Sequence, residues 1–313
     1  MSGERILITC RQMQNCIDEF LPTFNEHQLE LVMPEIVQQP SEEGLIEIIG
    51  DFDGMIAGDD PLSARVLDHA KRMRIISKWG VGIDGIDLDA ARARGIPVVN
   101  TPGVFGGEVA DIALGYVIML ARQLHRIDAS IKTGGWFKHE GRSLAGKVLG
   151  VAGFGSIGQA VGTRGKGFGM RVVAHEVADA AGAAAEEMGI EMLGRDELFQ
   201  QSDFLVLCSP LTPETRHIVS ARTLALMQLG SFLVNVGRGP LVDESALIEA
   251  LDSGQVAAAA LDVFEQEPLP ATSGLRRFEQ CVFGSHNASN TREGVLRASA
   301  KAVENLLQGL EAA

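Results

Sequence analysis

The chain has 313 residues, of which 46% are hydrophobic and 22% charged, a size and composition that predict two globular domains. Its formal net charge of −14 disfavours nucleic acids and anionic membrane surfaces as partners. The longest apolar run, residues 112–121, is too short to span a bilayer.

The four cysteines are Cys10, Cys16, Cys208 and Cys281. They have neither the CxxC spacing of many metal and redox sites nor the density of a disulfide framework, so reduced thiols are expected. The first residues lack the basic and apolar regions of a signal peptide. These features predict a cytoplasmic protein without a metal site.

Short β-rich runs alternate with helical patterns along the chain, which predicts an α/β fold with mainly parallel sheets. The first group of predicted strands comprises residues 5–9, 31–34, 55–58, 74–79 and 98–100. A long segment follows, residues 107–131, and because it is apolar on nearly every side it predicts one buried helix. The second group of strands comprises residues 148–152, 171–175, 191–193, 204–208, 232–236, 257–263 and 281–284, and an amphipathic helix over 291–310 follows.

A glycine motif, Gly153-x-Gly155-x-x-Gly158, follows the first strand of the second group and precedes a helical stretch, 159–168. In this context the backbone amides and the positive end of the helix bind a pyrophosphate. The next strand ends in Glu176, whose carboxylate can accept hydrogen bonds from the adenosine ribose and would repel a 2′-phosphate. The motif therefore predicts a dinucleotide site that prefers NAD to NADP.

Charged residues follow the carboxyl ends of later strands, where open α/β sheets bind their ligands. They are Arg238, Asp262, Glu267 and His286. A guanidinium can hold a substrate carboxylate and polarise its carbonyl oxygen. A histidine can exchange a proton with the substrate oxygen, and a neighbouring glutamate would stabilise its protonated form and fix its tautomer. These residue types together favour the reduction of a 2-oxo acid.

Seven segments resemble the D-isomer-specific 2-hydroxyacid dehydrogenases, especially the phosphoglycerate dehydrogenase-like branch. They are KWGVGIDGID (78–87), NTPGVFGGEVADIALG (100–115), GKVLGVAGFGSIG (146–158), PLTPETRH (210–217), NVGRGPLVDESAL (235–247), ALDVFEQEP (260–268) and SHNASNT (285–291). The resemblance covers nearly the whole chain. It implies hydride transfer between NAD and C2 of a small, anionic D-2-hydroxy or 2-oxo acid.

The resemblance also implies roles for individual residues. Arg238, Glu267 and His286 match the family's catalytic set, and Asp262 matches the position that contacts the nicotinamide carboxamide. Backbone amides at Val81 and Gly82, together with Arg238, would hold the substrate carboxylate. The implied cofactor contacts are Gly153, Gly155, Ser156, Ile157, Gly158, Glu176, Pro210, Thr215, Val236, Arg238 and Asp262.

The implied fold has two Rossmann-like, doubly wound parallel-sheet domains, one inserted into the other. Residues 1–100 and 285–313 would form the catalytic domain and residues 101–284 the NAD-binding domain, with the active site in the cleft between them. The family also implies a homodimer, with the helix after residue 100 contributing to the interface.

The chain departs from the family pattern at three places. Glu176 replaces the more usual Asp, which preserves the ribose argument. Gly284-Ser285 replaces the commoner Thr-Pro before His286. The regulatory domain of some phosphoglycerate dehydrogenases is not expected, because the sequence ends after the tail helix.

The sequence leaves the substrate open between 3-phosphoglycerate and an unphosphorylated hydroxy acid. Four cations are candidates for holding a phosphate or a second acid group: Arg11, Lys78, Lys138 and Arg142. A regulatory protein that senses NAD(H) on the same fold is the alternative function. Formate dehydrogenase is set aside because it has Gln where this chain has Glu267.

Overall fold

A computed structural model describes residues 3–35, 40–177 and 181–312. The chain forms two compact units, unit 1 from Met1–Phe105 with Asn290–Ala313 and unit 2 from Gly106–Ser289. Both boundaries lie a few residues beyond the expected ones, so His286 belongs to unit 2 rather than to unit 1. The reason is local, because His286 N donates to Asp262 O (2.7 Å) and Ala288 N to Asp262 Oδ2 (2.9 Å).

Unit 1 is built on a five-stranded parallel sheet with the order β2-β1-β3-β4-β5. Its strands are β1 Arg5–Ile8, β2 Glu30–Val32, β3 Gly54–Ala57, β4 Ile75–Lys78 and β5 Val98–Val99. β3 and β4 are buried along their whole length, which explains why they appear in the sequence as continuous apolar runs. The order reverses between β1 and β3, as in doubly wound folds.

Five helices connect these strands. They are α1 Arg11–Gln14, α2 Leu21–Glu26, α3 Glu42–Ile48, α4 Ala64–Leu67 and α5 Leu88–Ala93. α3, α4 and α5 begin after Ser41, Ser63 and Asp87, whose side chains accept hydrogen bonds from first-turn amides. Such caps satisfy amide donors that the helix itself leaves without partners.

Unit 2 begins with two helices where the sequence predicted one. These are α6 Gly106–Arg122 and α7 Leu124–Lys132. They are separated by Gln123, which is left-handed (φ 52°) and donates through Nε2 to Leu120 O at the end of α6. α6 is largely buried, whereas α7 has no buried residue, so the prediction of a single buried helix is wrong.

A seven-stranded parallel sheet forms the centre of unit 2, with the order β12-β11-β10-β9-β6-β7-β8. Its strands are β6 Val148–Ala152, β7 Arg171–His175, β8 Glu191–Met192, β9 Phe204–Leu207, β10 Ser231–Asn235, β11 Val256–Leu261 and β12 Val282–Phe283. Its helices are α8 Ser156–Gly167, α9 Ala181–Glu187, α10 Arg195–Gln201, α11 Ala221–Leu224 and α12 Glu244–Asp252. The order reverses between β6 and β9, which makes this the topological switch point.

Two glycines inside α8 allow the helix to pack closely on the sheet. A Cβ added at Gly165 would overlap Leu149 Cδ2, and one added at Gly162 would lie 2.9 Å from Ile190 Cδ1. The glycines lower helix propensity, but larger residues would push α8 away from β6 and β7.

The chain returns to unit 1 as the long helix α13, Arg292–Ala312. Ser77 Oγ at β4 donates to Ala302 O (2.8 Å), and Trp79 Nε1 donates to Ser299 Oγ (2.9 Å). A Cβ added at Gly309 would lie 2.5 Å from Ile75 Cγ1. The last helix therefore packs against the centre of a sheet whose strands lie far earlier in the chain.

The prediction of two α/β units with parallel sheets is confirmed. Strands β6 and β7 have the predicted bounds, and the bounds of the other strands differ from the predicted ones by at most two residues. Short 3-10 helices occur at Ile17–Glu19, Ile49–Asp51, Gly239–Leu241 and Gly274–Arg277. Within the described ranges, no helix combines the length and the hydropathy needed to cross a membrane.

Candidate active site

The glycine motif lies at the switch point of unit 2, between β6 and α8. Gly153 has φ 92°, and a Cβ there would lie 2.5 Å from Ser209 N in the segment after β9. A Cβ at Gly158 would overlap Gly153 O, whereas one at Gly155 would meet no protein atom within 4 Å. The first and third glycines are therefore required by close packing, and the second leaves open space beside the backbone. This is the cradle that a pyrophosphate needs.

Amides around this cradle are suitably placed for a phosphate. Gly155 and Ser156 are exposed at the start of α8, with Ile157 half-buried, and first-turn amides of a helix have no partner within it. On the far side of the switch point, Thr215 Oγ1 donates to Pro210 O (2.8 Å) and shapes the loop after β9. Val236, directly after β10, is buried.

Glu176 lies at the end of β7, beside the glycine loop. Its Oε2 accepts from Phe154 N (3.0 Å) and its Oε1 from Val177 N (2.7 Å). Backbone donors thus fix the carboxylate next to the motif. A carboxylate held there suits a ribose diol and disfavours a phosphate, so the residues present fit NAD.

His286 and Glu267 form a pair at the carboxyl ends of β11 and β12. His286 Nδ1 and Glu267 Oε2 are 2.8 Å apart, and Glu267 Oε1 accepts from Phe264 N (3.0 Å). His286 has a left-handed backbone (φ 54°) and is anchored by its amide to Asp262 O. The pair that the residue types suggested is therefore present in unit 2.

Arg238 follows β10 on the neighbouring loop. Its guanidinium donates to Gly237 O (2.9 Å), and its carbonyl oxygen accepts from Asn235 Nδ2 (2.8 Å). A Cβ at Gly239 would overlap Phe264 O, so the backbone beside Arg238 packs against the segment that precedes Glu267. The loops carrying the guanidinium and the acid–imidazole pair are thus in contact.

Asp262, at the end of β11, is 2% exposed. Its Oδ2 accepts from Ala288 N, and its Oδ1 accepts from the Tyr116 hydroxyl at 3.1 Å. Burial, with the nearby Asp262 carboxylate, raises the pKa of Tyr116. The Tyr116 hydroxyl therefore keeps its proton near neutral pH and can donate a hydrogen bond.

In unit 1, Val81 and Gly82 lie in the loop after β4. Asn100 Nδ2 donates to Val81 O (2.6 Å), and Gly80 N donates to Thr101 Oγ1 (2.9 Å). Lys78, at the end of β4, is buried and donates to Asp59 Oδ1 (3.0 Å) and Trp79 O (2.9 Å). The segment that follows β5 thus holds the loop, and the ammonium of Lys78 beside it is already paired.

Comparison with known proteins identifies the family. The family model for the NAD-binding domain of D-isomer specific 2-hydroxyacid dehydrogenases matches residues 114–288. Glyoxylate reductase from Korarchaeum cryptofilum is 37% identical over 289 residues, which cover 90% of this chain and 87% of that protein. The chain belongs to the D-isomer-specific 2-hydroxyacid dehydrogenase family.

Two further relatives of this dehydrogenase bear on its cofactor and substrate. D-3-phosphoglycerate dehydrogenase from Methanocaldococcus jannaschii is 38% identical over 88% of this chain but only 53% of that protein. The solved structure of D-lactate dehydrogenase from Aquifex aeolicus, complexed with NAD and lactic acid, has a TM-score of 0.84 and 25% identity, and the match covers 98% of both chains.

The family fixes the reaction class. The chain is an NAD-dependent oxidoreductase that transfers a hydride between nicotinamide and C2 of a small 2-hydroxy or 2-oxo acid. The predictions of family, fold, reaction class and cofactor are confirmed. The comparisons give no support to the regulatory alternative.

The structure narrows the set of candidate cations in the dehydrogenase. Arg142 stacks on Phe232 (5.0 Å from the guanidinium carbon to the ring centroid). Phe232 lies near the amino end of β10, at the sheet edge opposite the Arg238 loop, so Arg142 is removed from the candidates. Lys138 is exposed in the segment after α7, and Arg11 is exposed at the start of α1.

Sequence reasoning missed two polar contacts of the dehydrogenase. Tyr116 lies in the middle of an apolar helix, and nothing in the sequence links it to Asp262. His217 Nε2 lies 2.6 Å from Glu265 Oε1, which connects the PLTPETRH segment with the loop of Glu267. The RH ending of that segment was the only available signal, and its spacing gave no partner. Among residues 3–35, 40–177 and 181–312, no group of acidic, cysteine and histidine side chains has the arrangement of a metal site.

Proposed function

We propose that the dehydrogenase reduces small, unphosphorylated 2-oxo acids, such as glyoxylate or hydroxypyruvate, to D-2-hydroxy acids. Arg238, Glu267 and His286 are its catalytic residues. The observation that carries the proposal is the 2.8 Å contact between His286 Nδ1 and Glu267 Oε2. This contact lies at the strand ends that follow the dinucleotide motif in the same sheet.

His286 exchanges the proton. With Nδ1 engaged by Glu267, Nε2 is the nitrogen assigned to the substrate oxygen. In reduction it donates a proton as negative charge develops on that oxygen, and in oxidation it removes the proton from the hydroxyl. Glu267 fixes the ring orientation and stabilises the imidazolium. Its own orientation is maintained by Phe264 N.

Arg238 binds the substrate. Its guanidinium forms paired hydrogen bonds with the 2-oxo acid, which orient the carboxylate and polarise the carbonyl. The loop of Val81 and Gly82 in unit 1 carries the backbone amides to which the family resemblance assigns further hydrogen bonds with the substrate carboxylate. These contacts discriminate a 2-oxo acid from a simple aldehyde.

NAD is held by the glycine motif, by Glu176 and by the strand-end residues. The pyrophosphate binds the amides of Gly155, Ser156 and Ile157, and the adenosine ribose binds Glu176. The nicotinamide half is held by the remaining predicted contacts, Pro210, Thr215, Val236, Arg238 and Asp262. When bound as NADH, the cofactor supplies the hydride for C2 of the substrate.

The preference for an unphosphorylated substrate rests on charge. Lys78 is the buried cation beside the Val81 loop, and Asp59 already neutralises it. Asp60, which follows Asp59 in the sequence, is also buried, so two acidic side chains offset the charge that Lys78 could offer to a phosphate. The similarity to a glyoxylate reductase along 87% of its length points the same way.

The dehydrogenase is further proposed to be a homodimer in the cytoplasm. Exposed apolar side chains at Leu124, Ile131 and Trp136 are typical of an interface, which supports a homodimer formed through α7 and the segment after it. The four cysteines are free thiols, and this supports a reducing, cytoplasmic location.

Turnover with a substrate panel tests the function. NADH consumption is followed with glyoxylate, hydroxypyruvate, pyruvate, 2-oxoglutarate and phosphohydroxypyruvate. The proposal expects the highest kcat/KM with glyoxylate or hydroxypyruvate, and a clear disadvantage for the phosphorylated acid at equal ionic strength. A preference for phosphohydroxypyruvate would overturn the substrate assignment. Tight NADH binding without turnover of any acid would overturn the function itself.

A further inference from the structure

Tyr116, the only tyrosine of the chain, contacts a buried carboxylate from within a largely apolar helix. It lies near the middle of α6, and its hydroxyl donates to Asp262 Oδ1 at 3.1 Å. Asp262 is 2% exposed, and burying a carboxylate is unfavourable unless its oxygens accept hydrogen bonds. Tyr116 provides one of them from an element outside the catalytic loops.

Asp262 connects the cofactor side of the site with the catalytic histidine. Its Oδ2 accepts from Ala288 N, its carbonyl oxygen accepts from His286 N, and its amide donates to Asn235 O (3.0 Å). One residue thus fixes both ends of the segment that presents His286.

Gly284 explains why a tyrosine fits here. A Cβ added at Gly284 would overlap both Asp262 Oδ1 and the Tyr116 hydroxyl. The backbone of Gly284 is not left-handed, so space rather than conformation requires the glycine. The carboxylate–hydroxyl pair thus occupies the volume that a side chain at this position would need.

We infer that Tyr116 is a positioning residue for the cofactor: its hydroxyl holds the Asp262 carboxylate in the orientation that binds the nicotinamide carboxamide. The inference rests on the proposed contact between Asp262 and that carboxamide. Tyr116 itself touches neither substrate nor reacting atoms. Gly284 is part of the same arrangement because it leaves room for the pair.

The Tyr116→Phe variant tests this inference, because it keeps the ring and removes only the hydroxyl. We expect NADH to bind about 10-fold more weakly, because a misoriented Asp262 would lose about one charged hydrogen bond to the carboxamide. The kcat at saturating NADH should change much less. Binding is measured by NADH fluorescence, without turnover. Thr163→Ala, which removes an exposed hydroxyl from α8, is the matched control and leaves NADH binding unchanged.

A cofactor analogue separates positioning from general damage. The reduced 3-acetylpyridine analogue of NAD has a methyl ketone in place of the carboxamide, so it offers no N–H to Asp262. Wild type and Tyr116→Phe should therefore bind this analogue equally. If the variant weakens the analogue as much as NADH, Tyr116 is merely structural and the inference is overturned.

The single tyrosine also gives a readout that needs no cofactor. In wild type, ultraviolet absorbance should show tyrosinate only at more alkaline pH than for free tyrosine, because burial and Asp262 raise the pKa of Tyr116. Asp262→Asn removes the charge and should shift this titration to lower pH. An unshifted titration would show that the pair does not form.

The same Asp262→Asn variant separates the proposed Asp262–carboxamide contact from the role of Tyr116. If it leaves NADH binding unchanged, the proposed contact between Asp262 and the carboxamide fails. If it weakens NADH but Tyr116→Phe does not, the contact stands and the role of Tyr116 is overturned.

Discussion

Glu267 uses its two carboxylate oxygens for different purposes. Oε1 accepts from a backbone amide three residues earlier, and Oε2 faces the imidazole of His286. Because the backbone contact fixes the carboxylate, the imidazole meets a pre-oriented anion rather than a mobile side chain. Pre-orientation of this kind is what a proton-transferring pair needs.

Replacing His286, the proposed proton donor, should therefore lower the catalytic rate without weakening cofactor binding. His286→Ala should lower kcat by about 10²–10⁴-fold, with NADH affinity within about a factor of three of wild type. Steady-state rates and NADH fluorescence titration measure the two effects. Near-normal turnover would show that another group delivers the proton.

Glu176 should determine the choice between the two dinucleotides. Glu176→Ala removes an acceptor for the ribose hydroxyls and a repulsive charge, so NAD should bind about 10-fold more weakly while NADP gains. The measurement is the ratio of kcat/KM for the two cofactors, and Glu187→Ala on α9 is a control of equal charge change. An unchanged ratio contradicts the role assigned to Glu176.

Asp60 should make the free energy of unfolding depend on pH. Burial raises its pKa from 3.8 to about 6, while Thr9 Oγ1 donates to its Oδ2. A raised carboxylate pKa means that the folded state keeps a proton that the unfolded state has lost. The resulting stability is fully present below pH 3.8 and is lost as the pH rises through about 6.

Asp60→Asn should remove this dependence. Relative to wild type, the variant should gain on the order of 2 kcal/mol in free energy of unfolding between about pH 4 and pH 7. Thermal unfolding across that range measures it. Parallel pH curves for the two proteins would contradict a buried, titrating Asp60.

At the scale of elements, helix α8 depends on its glycines for packing rather than for helix formation. Gly165→Ala should destabilise the protein by about 1–3 kcal/mol, because the added methyl group overlaps Leu149 Cδ2. Gly167→Ala is a matched control, since its Cβ would meet nothing within 4 Å, and it should be neutral or slightly stabilising. Denaturant unfolding compares the two, and equal effects would refute the packing argument.

Elements with a strong local pattern were predictable from the sequence, and others were not. Strands β6 and β7 have the bounds that the apolar runs predicted, because parallel strands covered on both faces are apolar throughout. The break between α6 and α7 depends on one left-handed glutamine whose amide binds a helix-end carbonyl. No glycine or proline marks it, so the pattern indicated a continuous helix.

In the candidate site, too, some residues were predictable from the sequence and others were not. His286 and Glu267 were predictable because each follows a strand and has a chemically suggestive type. The contact of Tyr116 with Asp262 spans 146 residues of sequence, and it arises from the packing of α6 on the sheet. Long-range packing of that kind leaves no local signature.

At the scale of the whole molecule, self-association should depend on α7 and the segment after it. Ile131 is 46% exposed and Trp136 78% exposed, so changes there do not disturb the core. Ile131→Asp should convert a dimer to monomers by placing a charge in an apolar interface. Leu229→Asp, the same kind of change at an exposed leucine in the turn before β10, should leave the mass unchanged in analytical ultracentrifugation. A dimeric Ile131→Asp protein would show that the interface lies elsewhere.

The return of α13 to unit 1 has a consequence for biosynthesis. Unit 2 is continuous in the sequence, so all of its strands are synthesised before α13. Unit 1 must wait, because Ser77 and Trp79 have their hydrogen-bond partners on α13. The earliest strands to emerge are therefore among the last to reach their final environment. During that interval their apolar surfaces are exposed, which favours aggregation.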